Sequence, residues 1–313
     1  MITDPTRVSD LRIWLLASLY FALNALTQGW VSPTADLDQA QQLVLSQNWN
    51  LGYGTQPPLY TWLVNILFAI TGPSLWVLLA LKSLLLSLLA AGILAIGREL
   101  GFDGKRQLMA LAGLALIPQV IWEAQRDLTH SLLATLVASW TLWSLLRLWR
   151  TPDWRHHLMF GLLAGLGLLS KYNFAVFLLA LALAVLFTPA FRRQLLGPGL
   201  ALSALAALGL VLPHLLWVLG HAGQALASSH KLALQQSFSL AGPVAVILAV
   251  LAFLGPLLVA AGLSGWPTVR PTPLKPPEPM GAAPTRLLWR LALAILIVLL
   301  LFVMITGASH VKD

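Results

Sequence analysis

The sequence predicts an all-α, polytopic membrane bundle of about nine spans. Three observations carry that expectation. Of 313 residues, 58% are hydrophobic and only 10% charged, against about 45–50% and about 25% in a typical soluble domain. Mean hydropathy is +0.81. Leu/Ala/Val runs recur at roughly the 20-residue length that a ~30 Å hydrocarbon core demands. A chain of this size would suggest two soluble domains; here it reads as one transmembrane domain, 1–313.

Taken in order, the spans are expected at 11–30, 74–97, 107–122, 128–146, 158–170, 172–188, 198–219, 241–263 and 288–306. The N-terminal MITDPTRVSDLR is too polar for an early signal core, so the first apolar segment reads as a retained span. The net charge of +8 does not mark a nucleic-acid partner, because the cations are not gathered on one face. They fall in short loops instead. Arg98, Lys105 and Arg106 share one loop, Arg147, Arg150 and Arg155 a second, and Arg192 and Arg193 a third; Arg270, Lys275, Arg286 and Arg290 share a fourth. Placing these loops and the N-terminus in the cytoplasm satisfies the positive-inside rule. It holds only if Leu59–Gly72 does not cross, since 14 residues reach only ~21 Å as a helix. That apolar piece is expected to lie on the outer surface or dip in partway. Residues 31–73 then form the first extracytoplasmic loop. Residues 264–285 (SGWPTVRPTPLKPPEPMGAAPT) form a Pro-rich cytoplasmic linker, a semi-rigid spacer. No cysteine is present, which excludes disulfides, thiol catalysis and Cys-ligated metals.

The polar loop carries the most information. TADLDQAQQLVLSQNWNLGYGTQPPLYTW, residues 34–62, holds two aspartates and seven glutamines or asparagines beside a hydrophobic span. Asp36 with Gln39 three residues on is a loose capping box. Leu37, Ala40, Leu43 and Val44 make a narrow apolar stripe edged by Gln39, Gln41 and Gln42, the pattern of a short helix in the membrane interface. On pattern alone Asp36 is a cap and Asp38 meets the helix dipole. Asp127 reads equally as a cap for the helix starting at Leu128-Thr129, with Glu123 and Arg126 an i, i+3 pair. Gly52-Tyr53-Gly54 is a turn, and Pro57-Pro58 opens the next element.

Asp38-Gln39-Ala40, Gly52-Tyr53, Gln56-Pro57-Pro58-Leu59 and Trp62 together resemble the first outer loop of the GT-C glycosyltransferases of family 39. That family includes the protein O-mannosyltransferases and the lipid A aminoarabinose transferase. Lys82 lies where the family often carries an arginine, and Asp127 resembles its second outer-loop aspartate. GLLAGLGLLSK (161–171) and the closing Ser309-His310-Val311-Lys312-Asp313 resemble two later elements. The resemblance implies transfer of a sugar from a polyprenyl-phosphate carrier to an acceptor hydroxyl, with inversion, at the outer face of a bacterial inner membrane. The acceptor is a glycan, lipid or protein.

It implies Asp38 as general base with Asp127 in the catalytic site. Asp36, Tyr53, Gln56, Lys82, Arg126, His130, Lys171, His310 and Lys312 are implied for substrate, the cations receiving the leaving phosphate. A lone outer-face cation is otherwise a snorkelling residue, but Lys82 sits mid-span and should face a polar cavity or a carboxylate. A divalent metal is left open, and no ligand spacing argues for zinc. Gln39 replaces the family's usual glutamate, and Gln56 its usual lysine. Those departures, with an early C-terminus, keep a second expectation alive: a lipid-carrier-binding flippase or scaffold that retains the fold.

Overall fold

The computed structural model describes residues 5–32, 34–225, 227, 241–263 and 282–306. Within them the chain is helical, as expected. The first helix, α1 (Pro5–Val31), opens on proline, whose missing N–H costs nothing in a first turn. The polar loop folds into α2 (Leu37–Leu45) and α3 (Leu59–Thr71). Ser74 caps α4 (Leu75–Glu99), its hydroxyl accepting from the Trp76 N–H at 3.2 Å. Asp103 caps α5 (Gly104–Ala115), accepting from the Arg106 N–H at 2.9 Å. A π-helical turn at Gln119–Glu123 and the short α6 (Ala124–Arg126) lead to α7 (Thr129–Arg150). Asp153 caps α8 (Trp154–Ser170), and Pro189 starts α10 (Pro189–Leu195) after α9 (Phe174–Leu186). The remaining helices are α11 (Gly199–Gly220), α12 (Ala222–Ala225), α13 (Ala241–Leu263) and α14 (Ala283–Thr306).

Among the described residues, α4, α7, α11, α13 and α14 are long and apolar enough to cross a bilayer, five in all. The number becomes seven if each of two bent pairs is one span. This is an integral membrane protein, and its described residues give five to seven candidate spans where about nine were expected. The span expected at 107–122 breaks between α5 and the π turn with a bend of 78°. Pro118 is the reason: it lacks the N–H that would continue the ladder. The α9–α10 pair bends by 110°. α8, at 17 residues, rises only ~25 Å, and α1 carries Asp10, Arg12, Asn24, Thr27 and Gln28 among its apolar residues. Leu59–Thr71 stays a 13-residue helix, short of a crossing as expected. Most of the Pro-rich linker, 264–281, lies outside the described residues, and α14 begins inside its expected end.

Two cores share one helix. Near the start of α7, Leu132, Leu133 and Leu136 pack with Leu78, Leu85 and Leu89 of α4 and with Tyr60, Val64 and Phe68 of α3. Near its end, Leu145 and Leu148 pack with Ala180, Leu181, Phe191, Leu287 and Leu291. α8 and α11 touch at backbone distance. A Cβ on Gly161 would meet the Ser203 carbonyl oxygen at 2.2 Å, so only glycine admits this approach.

α4 and α7 run the same way, fixed by the Trp140 indole N–H donating to the Leu88 carbonyl at 3.1 Å. Their C-termini gather the arginines. Glu99, buried, accepts from Arg147 at 3.3 Å and Arg150 at 3.0 Å, and Asp10 pairs with Arg98. Their N-termini face the polar loop.

Candidate functional site

The predicted short helix exists as α2. Gln39 and Gln42 of α2 are buried against the bundle, while Leu37 (80% exposed) and Val44 (64%) point away. Hydrogen bonding decides this. The Gln42 amide donates to His130 Nε2 at 3.3 Å, and its carbonyl oxygen accepts from the Thr61 hydroxyl at 3.0 Å. The Gln39 amide donates to the Arg126 carbonyl at 3.3 Å, and its oxygen accepts from the Asp36 N–H at 3.1 Å. A buried amide with both ends bonded stabilises the docked helix, and the apolar stripe is left for lipid.

Docking α2 this way brings the two aspartates together in an exchange of helix caps. Asp127 Oδ1 accepts from the Asp38 N–H at 3.1 Å, one of the donors that the first turn of α2 leaves unmet. Asp38 Oδ2 accepts from the Thr129 N–H at 2.9 Å and the Thr129 hydroxyl at 3.0 Å, which meets the first turn of α7. Each carboxylate therefore sits at the positive end of the other's helix. The expectation that Asp127 caps its own helix is replaced: Asp38 does so from 91 residues away. The two carboxylates also lie within hydrogen-bonding reach of each other. Burial first, and the Asp38 charge second, push the Asp127 carboxyl above the usual carboxylate range; the Asp38 N–H and the Lys82 ammonium pull against them.

The turn that makes this possible is strained. Leu128, between Asp127 and Thr129, is left-handed at φ 63°, ψ 44°. A leucine there costs about 1–3 kcal/mol and persists only where its surroundings enforce it. The π turn lies just upstream, another local irregularity that recurs at functional sites.

Lys82 does face polar groups, as its mid-span position demands. It is 2% exposed, and its ammonium donates to the Arg126 carbonyl at 2.6 Å, one residue before Asp127. The cation is thus tied to the backbone rather than to a carboxylate. Arg126 turns to Asp36 at 3.9 Å and lies over the Trp122 ring at 5.3 Å, leaving Glu123 aside. Asp36 also accepts from the Gln28 amide of α1 at 3.2 Å. His130 is buried between Gln42 and the Ser170 carbonyl, its Nδ1 within 3.2 Å of that oxygen. The next residue, Lys171, donates to the Ser131 hydroxyl at 2.6 Å. The structure therefore collects Asp36, Asp38, Asp127, Lys82, Arg126, His130 and Lys171 at one end of the bundle.

Tyr53 and Gln56 are placed differently. The Tyr53 hydroxyl donates to the Asn48 carbonyl at 2.7 Å and accepts from the Asn50 N–H at 3.0 Å, so it braces the loop itself. Gln56 pairs with Tyr53 through backbone bonds of 3.1 and 3.2 Å. His310 and Lys312 lie outside the described residues. Sequence reasoning missed Thr129, Ser131 and Gln42. Thr129 had a visible signal, a hydroxyl at a helix start, but that pattern points to local capping rather than to a partner in another loop. Among the described residues no group of three His, Asp or Glu side chains is placed to hold a metal ion. An apolar groove of about 460 Å³ along α7 and α8, lined by Trp140, Trp143 and Trp154, starts ~16 Å along α7 from Thr129 and is no part of this site.

The family model for dolichyl-phosphate-mannose-protein mannosyltransferase matches residues 55–217, just over half of the chain. Lipopolysaccharide core galacturonosyltransferase RgtB of Rhizobium johnstonii (strain DSM 114642 / LMG 32736 / 3841) is 34% identical over 315 aligned residues, covering 100% of this chain and 63% of that protein. Lipopolysaccharide core galacturonosyltransferase RgtA of the same strain is 34% identical over 250, covering 80% and 50%. The chain thus spans between half and two thirds of the length of these curated relatives. No solved structure matches it. On the family match and these identities, the chain belongs to the dolichyl-phosphate-mannose-protein mannosyltransferase family of GT-C glycosyltransferases.

Proposed function

We propose that this chain is the catalytic membrane portion of a glycosyltransferase that moves a sugar from a polyprenyl-phosphate carrier to an acceptor hydroxyl at the extracytoplasmic face. The observation that carries this reading is the Asp38–Asp127 cap exchange. It fixes both carboxylates side by side, Thr129 holding Asp38 Oδ2 and the Asp38 N–H holding Asp127 Oδ1. The relatives' activity extends the reading: the sugar is a hexuronic acid and the acceptor a lipopolysaccharide core.

In the reaction, the acceptor oxygen forms a bond to the anomeric carbon as its proton passes to Asp38 Oδ1. The bond from that carbon to the phosphate oxygen breaks on the opposite face, and its electron pair leaves with polyprenyl phosphate. The configuration inverts. Thr129 holds Oδ2 so that Oδ1 faces the incoming hydroxyl, the geometry a general base requires. Asp127, with its raised affinity for a proton, acts as a hydrogen-bonding partner to the sugar rather than as a second strong base. The exposed guanidinium of Arg126, only loosely paired at 3.9 Å, and the Lys171 ammonium receive the growing phosphate charge.

The test uses purified protein, polyprenyl-phosphate-linked galacturonic acid and a lipopolysaccharide core acceptor. Release of polyprenyl phosphate is expected in the wild type and not in Asp38→Asn, which still offers Thr129 an acceptor oxygen. Full turnover in that variant would remove Asp38 from the mechanism. Donor binding with no transfer by the wild type under any acceptor would select the non-catalytic carrier-binding alternative.

A further inference from the structure

Beside the aspartates runs a column of four aromatic rings. Tyr172 stacks on His214 at 5.7 Å, His214 on Trp217 at 5.9 Å, and Trp217 on His221 at 4.8 Å, with interplanar angles of 21°, 14° and 9°. The column starts at the site with Tyr172 and meets the polar loop through its two middle rings. Tyr172 directly follows Lys171, which holds Ser131, two residues from Thr129. His214 Nδ1 lies 2.6 Å from the Leu51 carbonyl, and a Cβ on Gly52 would meet the Trp217 ring at 2.2 Å.

Two polar atoms in this column have no partner. His214 is 2% exposed and its Nε2 is buried with no hydrogen bond; the Tyr172 hydroxyl is buried likewise. Their chemistry is fixed by what surrounds them. A carbonyl at 2.6 Å from Nδ1 requires the proton there, so Nε2 presents a lone pair. Burial raises the Tyr172 hydroxyl above its ordinary range, so it keeps its proton and donates. The stacked pair thus offers one acceptor and one donor. A carboxylate or phosphate matches only the donor. A hydroxyl, which both donates and accepts, matches either atom, and the ring faces supply the apolar wall that a sugar's C–H face prefers.

We propose that Tyr172 and His214 form a sugar-hydroxyl subsite, binding a ring hydroxyl of the transferred or the accepting sugar. The subsite rests on the glycosyltransferase reading but is tested apart from it. Two variants remove one partner each: Tyr172→Phe deletes the donor, and His214→Asn keeps a δ-position N–H for Leu51 while deleting Nε2. Binding is measured in the Asp38→Asn background, with polyprenyl-phosphate-linked galacturonic acid, sugar-free polyprenyl phosphate and a lipopolysaccharide core oligosaccharide as probes. A site bonding a hydroxyl loses about tenfold in affinity per missing bond. That loss is expected for the sugar-bearing donor if the subsite holds the transferred sugar, or for the oligosaccharide if it holds the acceptor, with sugar-free carrier unaffected. Unchanged affinity for both sugar probes in both variants overturns the proposal, as does equal weakening of sugar-free carrier. A fall in melting temperature with unchanged binding assigns the two atoms to a structural water, which also overturns it. Wild-type turnover, read separately, decides the glycosyltransferase reading.

Discussion

The two ends of the bundle solve the problem of buried acids in opposite ways. At the arginine end, Glu99 accepts from two guanidinium groups and Asp10 pairs with a third. At the aspartate end, Asp38 and Asp127 are satisfied by backbone N–H groups and a hydroxyl, and the nearest buried cation, Lys82, is bonded to a carbonyl. Ion pairing makes a carboxylate a fastener. Helix-cap bonding also fixes a carboxylate but commits no guanidinium to it, so its proton affinity is set by burial and by the neighbouring acid. The difference separates an acid that anchors from an acid that can accept a proton.

Exchanging charge for a neutral isostere should therefore do opposite things at the two ends. Asp38→Asn is expected to lower turnover by about 10²–10⁴-fold, the range of general-base catalysis, with little change in melting. Glu99→Gln is expected to destabilise by about 1–2 kcal/mol while turnover per folded molecule stays constant. That is less than the ~3–5 kcal/mol of a fully buried pair, because both arginines are over a third exposed (41% and 36%) and solvent screens them. Equal kinetic loss in both variants, measured by sugar release and by thermal unfolding in detergent, would erase the distinction.

Gln39→Glu restores the family's usual acid and sharpens the contrast from the other side. The new carboxylate cannot donate to the Arg126 carbonyl and adds a charge beside two aspartates, so a loss of about 1–3 kcal/mol is expected. A more stable or more active variant would show that the glutamine is not bonded as described.

The third expectation concerns pH. The Asp127 carboxyl binds its proton more tightly in the folded chain than in the unfolded chain, so protonation favours folding. Its contribution is complete below the ordinary carboxylate range and is lost as pH rises through the raised folded value. Asp127→Asn should flatten that part of the profile, and Asp38→Asn should shift it to lower pH by removing the neighbouring charge. Melting temperature recorded against pH for the three proteins checks both. The smallest effect is expected for Leu128→Gly. Relief of the left-handed strain and the added chain entropy of glycine offset each other, leaving stability within about 1 kcal/mol. A large loss there would mean that the leucine side chain, not the backbone turn, holds the aspartates.

Much of the site was legible before folding, though in pieces. The motif order in residues 34–62 and 127–171 marked Asp38, Asp127 and Lys171, a mid-span cation marked Lys82, and the structure gathers all four at one end. Their partners were not legible. Asp38 and Thr129 are 91 positions apart, and no local pattern says that one caps the other's helix. The partners of the α2 glutamines escaped for a related reason: periodicity sets Gln39 and Gln42 beside the apolar stripe but does not say what they bond. In a bilayer that stripe is content facing outward once the glutamines find partners inside.

The sequence by itself determined the membrane class and the helical fold, because composition and periodicity act over a few positions. It also determined which end of the chain's loops carries the arginines. Only the tertiary structure decided that two aspartates exchange caps and that Tyr172 and His214, stacked together, keep an unbonded donor and acceptor. Those outcomes depend on hydrogen bonds between segments far apart in the chain, and such bonds exist only once packing has brought their atoms within about 3 Å.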